Sequence, residues 1–197
     1  RLGYKKLITT PHVSENYYPN SIDYLKGNFN ELVHAVNKEQ IPIDLQLGAE
    51  YMVDGKLLHS LKNKEELLSW NGHILIETSF QSLPLFVDEV LFEIQSTGLI
   101  PVLAHPERYA YFFGKEDKLI DLRNRGVKMQ ITAGSLAGYY GKEEKKMAQK
   151  LLNKGGVDFI GSDVHGARHI EYLEKGLRSK HLKKRAKGEF LNQGLLS

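Results

Sequence analysis

The chain of 197 residues is long enough to bury one substantial core, and its 41% hydrophobic and 26% charged residues are typical of a globular domain. We therefore expect a single domain over residues 1–197. The absence of cysteine excludes disulfides, thiolate metal sites and hydrolysis by a cysteine nucleophile. The net charge is only +3. The chain has neither an apolar stretch of about 18 residues nor a secretory leader, so we expect no membrane insertion and a cytoplasmic location.

Short aliphatic or β-branched runs alternate along the chain with segments of helical spacing. Six runs are predicted to be buried strands: residues 6–10, 43–47, 74–77, 100–104, 127–131 and 157–160. The predicted helices cover residues 22–36, 85–97, 118–125 and 142–154. This alternation predicts an α/β fold with parallel strands joined by right-handed crossovers, either as a barrel or as an open doubly wound sheet.

Polar clusters follow five of these strands, at positions 11–12, 48–50, 105–108, 132–135 and 162–165. Parallel α/β folds collect their chemistry at the carboxyl ends of the strands, so residues far apart in sequence are expected to meet in one pocket. Within these clusters, the candidate metal ligands are His12, Glu50, His105, Asp163 and His165.

Three imidazoles and two carboxylates without sulfur favour Mn²⁺, Fe or Zn²⁺ in a cluster of two or more ions over a closed structural zinc. Such ions would supply a hydroxide at neutral pH in place of a thiolate. Any one of these histidines, taken alone, is more often a core or surface residue, so the prediction rests on the set. Arg108 and Arg168 lie beside the ligand motifs, and we assign their guanidinium groups to phosphate binding.

Several residues keep two interpretations. Glu77 is either a further ligand or the partner of an arginine. Residues 132–135 either present backbone N–H groups to an anion or form a strand-to-helix turn. Tyr139 and Tyr140 either line the pocket mouth for an aromatic substrate or pack. The basic tail carries six lysine and arginine residues from Arg178 to Lys187. It is either a solvated helix face or a surface for an acidic partner.

The motifs ITTPH at 8–12, GAE at 48–50, LAHPER at 103–108, AGS at 133–135 and SDVH at 162–165 occur together in the chain. In this order they resemble those of the bacterial capsular and exopolysaccharide-type protein-tyrosine phosphatases of the polymerase and histidinol phosphatase superfamily. The resemblance extends from about the first residue to Arg168. It implies a distorted TIM-like (β/α)7 barrel and a three-metal cluster, often of manganese. The five candidate ligands and the two arginines are the positions that match the motifs.

One departure from the resemblance concerns the start of the chain. The family opens with a strand that bears a His-x-His pair, and this sequence contains no His-x-His. Residues 1–4 read as the end of a helix without a beginning. We therefore expect that an upstream strand and helix belong to the natural protein, and that this chain forms an incomplete barrel of about six βα units. Exposed strand edges would favour a homo-oligomer.

The function implied by the resemblance is metal-dependent removal of phosphate from tyrosines of a protein, with metal-bound hydroxide as the nucleophile. The expected partner is a tyrosine autokinase that regulates capsular or exopolysaccharide synthesis, and no nucleic-acid partner is expected. The complete protein would hold two to three ions, with Mn²⁺ preferred over Fe and Zn²⁺. Two alternatives are a phosphatase of a small phosphomonoester and a non-catalytic scaffold with the same fold.

Overall fold

A computed structural model describes residues 2–185 and 190–196, and these residues form two compact units. The first unit contains residues 2–79 and 84–101, and the second contains residues 80–83, 102–185 and 190–195. Each unit is described by itself. Within the described part of the chain, every helix is too short or too polar to traverse a lipid bilayer.

The first unit contains eight elements in chain order. They are β1 (Lys6–Thr9), β2 (His12–Val13), α1 (Ile22–Lys38), β3 (Asp44–Leu47), β4 (Glu50–Met52), α2 (Gly55–Lys62), β5 (His73–Glu77) and α3 (Val87–Ser96). Strand β1 pairs in parallel with β3, and β4 pairs in parallel with both β2 and β5. Ser21 caps α1 and Asp54 caps α2, each accepting a hydrogen bond from a backbone N–H of the first turn.

The chain enters the second unit within β6 (Ile100–Ala104). The later elements are α4 (Glu116–Asn124), β7 (Lys128–Thr132), α5 (Ala133–Ala137), α6 (Lys142–Asn153), β8 (Phe159–Gly161), α7 (Ala167–Leu177) and α8 (Lys180–Arg185). Short 3-10 helices cover Pro106–Arg108, Ala110–Phe112 and Leu191–Leu196. Strand β7 pairs in parallel with β6 and with β8.

The strands carry the core of each unit. Ile74, Leu75 and Ile76 are consecutive residues of β5, and all three are buried. Since successive side chains of a strand point to opposite faces, β5 is covered on both faces, which is typical of a parallel sheet between helices. In the second unit, Met129 and Ile131 of β7 are fully buried, and these two residues point to the same face of the strand.

Close packing of α5 and α7 depends on one glycine. Gly176 of α7 lies against the backbone of Ala133, and a Cβ atom at position 176 would collide with the Ala133 carbonyl oxygen. This contact sets the position of α7, which begins two residues after His165.

All six predicted strands form, as do the four predicted helices, with boundaries that differ from the prediction by at most two residues. The α/β class with parallel strand pairing is therefore confirmed. Strands β2 and β4 and helices α2, α5, α7 and α8 were not predicted. Thr132 ends β7, and residues 133–135 already belong to α5, which follows the strand directly. Helix α8 exposes Lys180, Lys183 and Lys184, as a solvated face would, and Lys187 lies outside the described residues.

Candidate functional site

The first unit brings one histidine and two carboxylates together on three neighbouring strands. His12 and Glu50 are the first residues of β2 and β4. His12 of β2 is in register with Glu50 of β4, and Glu77 is the last residue of β5. The Nδ1 atom of His12 lies 3.0 Å from Glu77 Oε1 and 3.9 Å from Glu50 Oε2. One potential ligand atom from each residue lies within 4.8 Å of those of the other two. We name these three residues the His-Glu-Glu cluster.

The chemistry of the His-Glu-Glu cluster fits a divalent cation. Glu50 and Glu77 are only 5% and 6% exposed, so two carboxylates share a site that is largely removed from water. Buried charges are costly unless they are paired or coordinate a metal, and a cation held between the two carboxylates would offset that cost. Imidazole nitrogen with carboxylate oxygen suits Mn²⁺, Fe and Zn²⁺. The donor set therefore agrees with the predicted ions without distinguishing them.

The orientation of His12 is supported from both sides of the residue. Asn20 Nδ2 donates a hydrogen bond of 2.8 Å to the His12 carbonyl oxygen. The ring of Tyr18 stacks on the imidazole with centroids 4.9 Å apart. Tyr18 is itself held because its backbone N–H donates to Ser14 Oγ at 2.9 Å. These contacts limit the directions in which the imidazole can point.

In the second unit, His105 follows β6 in a left-handed backbone conformation with φ of 35°. Its backbone N–H donates to the carbonyl oxygen of Gln130 in β7 at 2.7 Å. The Phe80 ring stacks on the imidazole at 5.7 Å, and Tyr109 meets it edge-on at 5.5 Å. A left-handed backbone conformation costs conformational free energy in any residue other than glycine, and such strained residues are concentrated at functional sites.

Glu107 links the 3-10 helix after β6 to the end of β7 and to α5. Its side chain is fully buried, and Oε1 accepts hydrogen bonds from the Thr132 N–H at 2.8 Å and from Ser135 Oγ at 2.6 Å. Burial raises the pKa of the Glu107 carboxyl, while these two hydrogen bonds act in the opposite direction. The Thr132 N–H and the Ser135 hydroxyl thus meet a carboxyl group of the chain itself.

Arg108 contacts two aromatic rings and forms an ion pair. Its guanidinium carbon is 4.8 Å from the centroid of Phe80 and 4.1 Å from that of Tyr140. Its NH1 group donates to Asp163 Oδ2 at 2.9 Å, and the Tyr140 hydroxyl donates to the same oxygen at 2.7 Å. Burial, followed by the negative charge of Asp163, raises the pKa of Tyr140.

Asp163 and His165 are neighbours at the end of β8. Asp163 has a left-handed backbone with φ of 48°, and its Oδ1 atom lies 3.4 Å from His165 Nδ1. The backbone N–H of His165 donates to His169 Nδ1 at 3.1 Å. The His165 side chain is 55% exposed, and Arg168 is exposed at the start of α7.

The predicted site residues are therefore found in two groups. His12 and Glu50 meet in the first unit, whereas Arg108, Asp163 and His165 form a connected group in the second. His105 belongs to the same unit and touches the Phe80 ring that lies against Arg108. Neither unit by itself contains all five predicted ligands, so the full ligand set stays a prediction, as does the role of Arg168.

The sequence left the roles of three residues open or unassigned. Glu77 had two interpretations, and the structure places it against His12. The sequence feature that indicated Glu77 was an acidic residue following an aliphatic run, as for Glu50. Glu107 had no role assigned, although it lies inside the most specific motif. The contacts of Tyr140 with Arg108 and Asp163 were not foreseen, because no local pattern indicates them.

Comparisons with known proteins identify a family and several similar proteins. Residues 1–190 match the model of a family described as capsular polysaccharide synthesis, CpsB/CapC. The putative tyrosine-protein phosphatase CapC of Staphylococcus aureus is 31% identical over 172 residues, which are 87% of this chain and 68% of that protein. The tyrosine-protein phosphatase YwqE of Bacillus subtilis is 34% identical over 170 residues, which are 85% of this chain and 66% of that protein.

A solved structure is similar over nearly the whole chain. It comes from work on YwqE of Bacillus subtilis and CpsB of Streptococcus pneumoniae, described as unique metal-dependent tyrosine phosphatases. The TM-score is 0.81 at 30% sequence identity, and the match covers 99% of this chain and 78% of the solved chain. The chain spans about two thirds of the length of the two curated relatives described above.

Proposed function

Because this chain belongs to the capsular polysaccharide synthesis CpsB/CapC family, we propose that it acts as a metal-dependent protein-tyrosine phosphatase. The observation that carries the proposal is the His-Glu-Glu cluster, a largely buried nitrogen and oxygen donor set at the ends of three parallel strands. Relatives named as tyrosine-protein phosphatases support it. The two units are proposed to act together as one phosphatase domain, and the fold is proposed to be a distorted (β/α)7 barrel.

The His-Glu-Glu cluster would hold one divalent ion. His105, Asp163 and His165 are proposed to complete a cluster of two to three ions in the whole protein, with Mn²⁺ preferred over Fe and Zn²⁺. When bound, such ions supply Lewis-acid activation of water and stabilise negative charge on phosphoryl oxygens.

The chain's own contribution to substrate binding centres on Arg108. One of its N–H groups is taken by Asp163, and a guanidinium presents five donors in a planar fork. The remaining donors are proposed to bind the phosphoryl oxygens, because the fork matches their spacing and stays charged at all physiological pH values. Arg168 is the second proposed contact. The proposed substrate is a phosphotyrosine on the tail of a tyrosine autokinase.

The test is phosphate release by the full-length protein from a phosphotyrosine peptide and from a matched phosphoserine peptide, after metal removal and after addition of Mn²⁺, Fe²⁺ or Zn²⁺. We expect metal-dependent release from the phosphotyrosine peptide. The His12→Gln variant should lose it, whereas His34→Gln, an exposed position on α1, should retain it.

Two other results would replace this proposal. Turnover of small alkyl phosphates without turnover of the peptide would indicate a phosphatase of small phosphomonoesters. A protein that neither binds a divalent ion nor releases phosphate from any of these substrates would be a scaffold.

A further inference from the structure

The Arg108 guanidinium is held by two aromatic faces and one carboxylate. The ring centroids of Phe80 and Tyr140 lie 4.8 Å and 4.1 Å from the guanidinium carbon. Cation–π contacts of this kind lie well within the limit of about 6 Å at which they are significant. The rings restrict the rotation of the guanidinium plane. The orientation of its remaining N–H donors is therefore set before a phosphate binds.

The two oxygens of Asp163 have different surroundings. Oδ2 accepts from Arg108 NH1 at 2.9 Å and from the Tyr140 hydroxyl at 2.7 Å. Oδ1 instead faces His165, 3.4 Å from Nδ1. One oxygen is therefore engaged by positioning contacts, while the other lies beside the second candidate ligand of the same strand end.

Tyr140 touches both groups through different parts of one side chain. Its ring contacts Arg108, and its hydroxyl contacts Asp163. The residue is anchored by its neighbour, because the Tyr139 N–H donates to the Gly134 carbonyl at 3.1 Å and the Tyr139 ring packs on Tyr172 at 4.8 Å. A fixed backbone lets Tyr140 hold both partners at the same time.

We propose that Tyr140 is a positioning residue that couples the two halves of the site, its hydroxyl orienting Asp163 for metal binding and its ring orienting Arg108 for phosphate. This inference rests on the proposed function. Hydrogen-bond partners of metal ligands fix the orientation of the ligand, and their loss typically lowers metal affinity about 10- to 100-fold. Loss of the aromatic face should instead weaken only the guanidinium contact.

The experiment separates the hydroxyl from the ring in the full-length protein. Titration calorimetry measures the Kd of Mn²⁺ and, at saturating Mn²⁺, the Kd of inorganic phosphate. Tyr140→Phe should raise the Kd of Mn²⁺ about 10-fold and change the Kd of phosphate less than about twofold. Tyr140→Leu should raise the Kd of Mn²⁺ similarly and also raise the Kd of phosphate about 5- to 10-fold. Tyr172→Phe, which touches neither partner, is the matched control and should change neither constant.

Phe80→Leu removes the second aromatic contact of Arg108 and also the stacking of Phe80 on His105, a proposed metal ligand. Only its Kd for phosphate at saturating Mn²⁺ is therefore compared, and this Kd should rise. This variant also decides the role of the rings if Tyr140→Leu does not fold. A Mn²⁺ Kd in Tyr140→Phe equal to that of the wild type would overturn the coupling. So would a Kd of phosphate in Tyr140→Leu no higher than that in Tyr140→Phe, or, where Tyr140→Leu does not fold, an unchanged Kd of phosphate in Phe80→Leu. Phosphate release from a phosphotyrosine peptide is measured separately, so a protein that binds both ions without turnover contradicts the phosphatase proposal and leaves the coupling test valid.

Discussion

Replacement of Glu107 tests the internal support of the candidate site. In Glu107→Ala, the Thr132 N–H and the Ser135 hydroxyl lose their acceptor in a region that water does not reach. Each buried donor left without a partner costs about 1–3 kcal/mol. Removal of a carboxylate whose pKa is raised by burial relieves part of this cost. We therefore expect the free energy of unfolding to fall by about 2–4 kcal/mol at pH 7.

Glu107→Gln is the matched variant, because its amide oxygen can still accept both hydrogen bonds at the position of Oε1. The second oxygen of Glu107, Oε2, has no hydrogen-bond partner among the described residues. The NH2 group that replaces Oε2 is also buried without a partner, but the variant no longer buries an ionisable carboxyl. These two effects oppose each other, so the free energy of unfolding should change by less than about 1 kcal/mol. Urea denaturation followed by circular dichroism at neutral pH measures both variants.

Equal destabilisation by the two Glu107 variants would refute this reasoning, since the effect would then come from the lost charge and not from the lost acceptor. A loss below about 1 kcal/mol in Glu107→Ala would refute it too. In that case the two donors would have found other partners after a local rearrangement.

Three further predictions concern single side chains. Glu77→Gln keeps the size of a proposed ligand but removes its charge, and the Kd of Mn²⁺ should rise at least about 10-fold in calorimetry; an unchanged Kd would exclude Glu77 as a ligand. Lys150 lowers the pKa of Glu116. The ion pair therefore stabilises the fold above the ordinary pKa of glutamate, and this stability is lost as the pH falls through the lowered pKa. Lys150→Met should make the free energy of unfolding, measured by urea denaturation, depend less on acid pH, and an unchanged pH dependence would contradict this. Asp158→Ala leaves Arg123 and the Met129 N–H without their shared acceptor, and we expect a loss of about 3–4 kcal/mol in the same assay; a loss below about 1 kcal/mol would show that water replaces the carboxylate.

Much of the fold was predictable because its strands and helices have local patterns of apolar residues. Strands β5 and β6 are short aliphatic runs, and helices α1 and α6 repeat apolar residues every three or four positions. Burial on both faces of parallel strands produces such runs. His12 and Glu50 were predicted for a related reason, since polar residues directly after strands collect at one edge of a parallel sheet. Strands β2 and β4, which carry these residues, span two and three residues, too few to show a period.

The partners of the polar side chains were decided only by the tertiary structure. Arg108 and Asp163 are 55 positions apart, and Glu107 and Thr132 are 25 apart. A hydrogen bond depends on distances of about 3 Å and on direction, and no local pattern encodes where two distant side chains meet. Glu77 shows the same limit, because an acid at the end of a strand suits a cation of either kind, a metal or an arginine. Residue types and their places at strand ends follow from the sequence, whereas the pairing of Glu77 with His12 and of Tyr140 with Asp163 comes from packing.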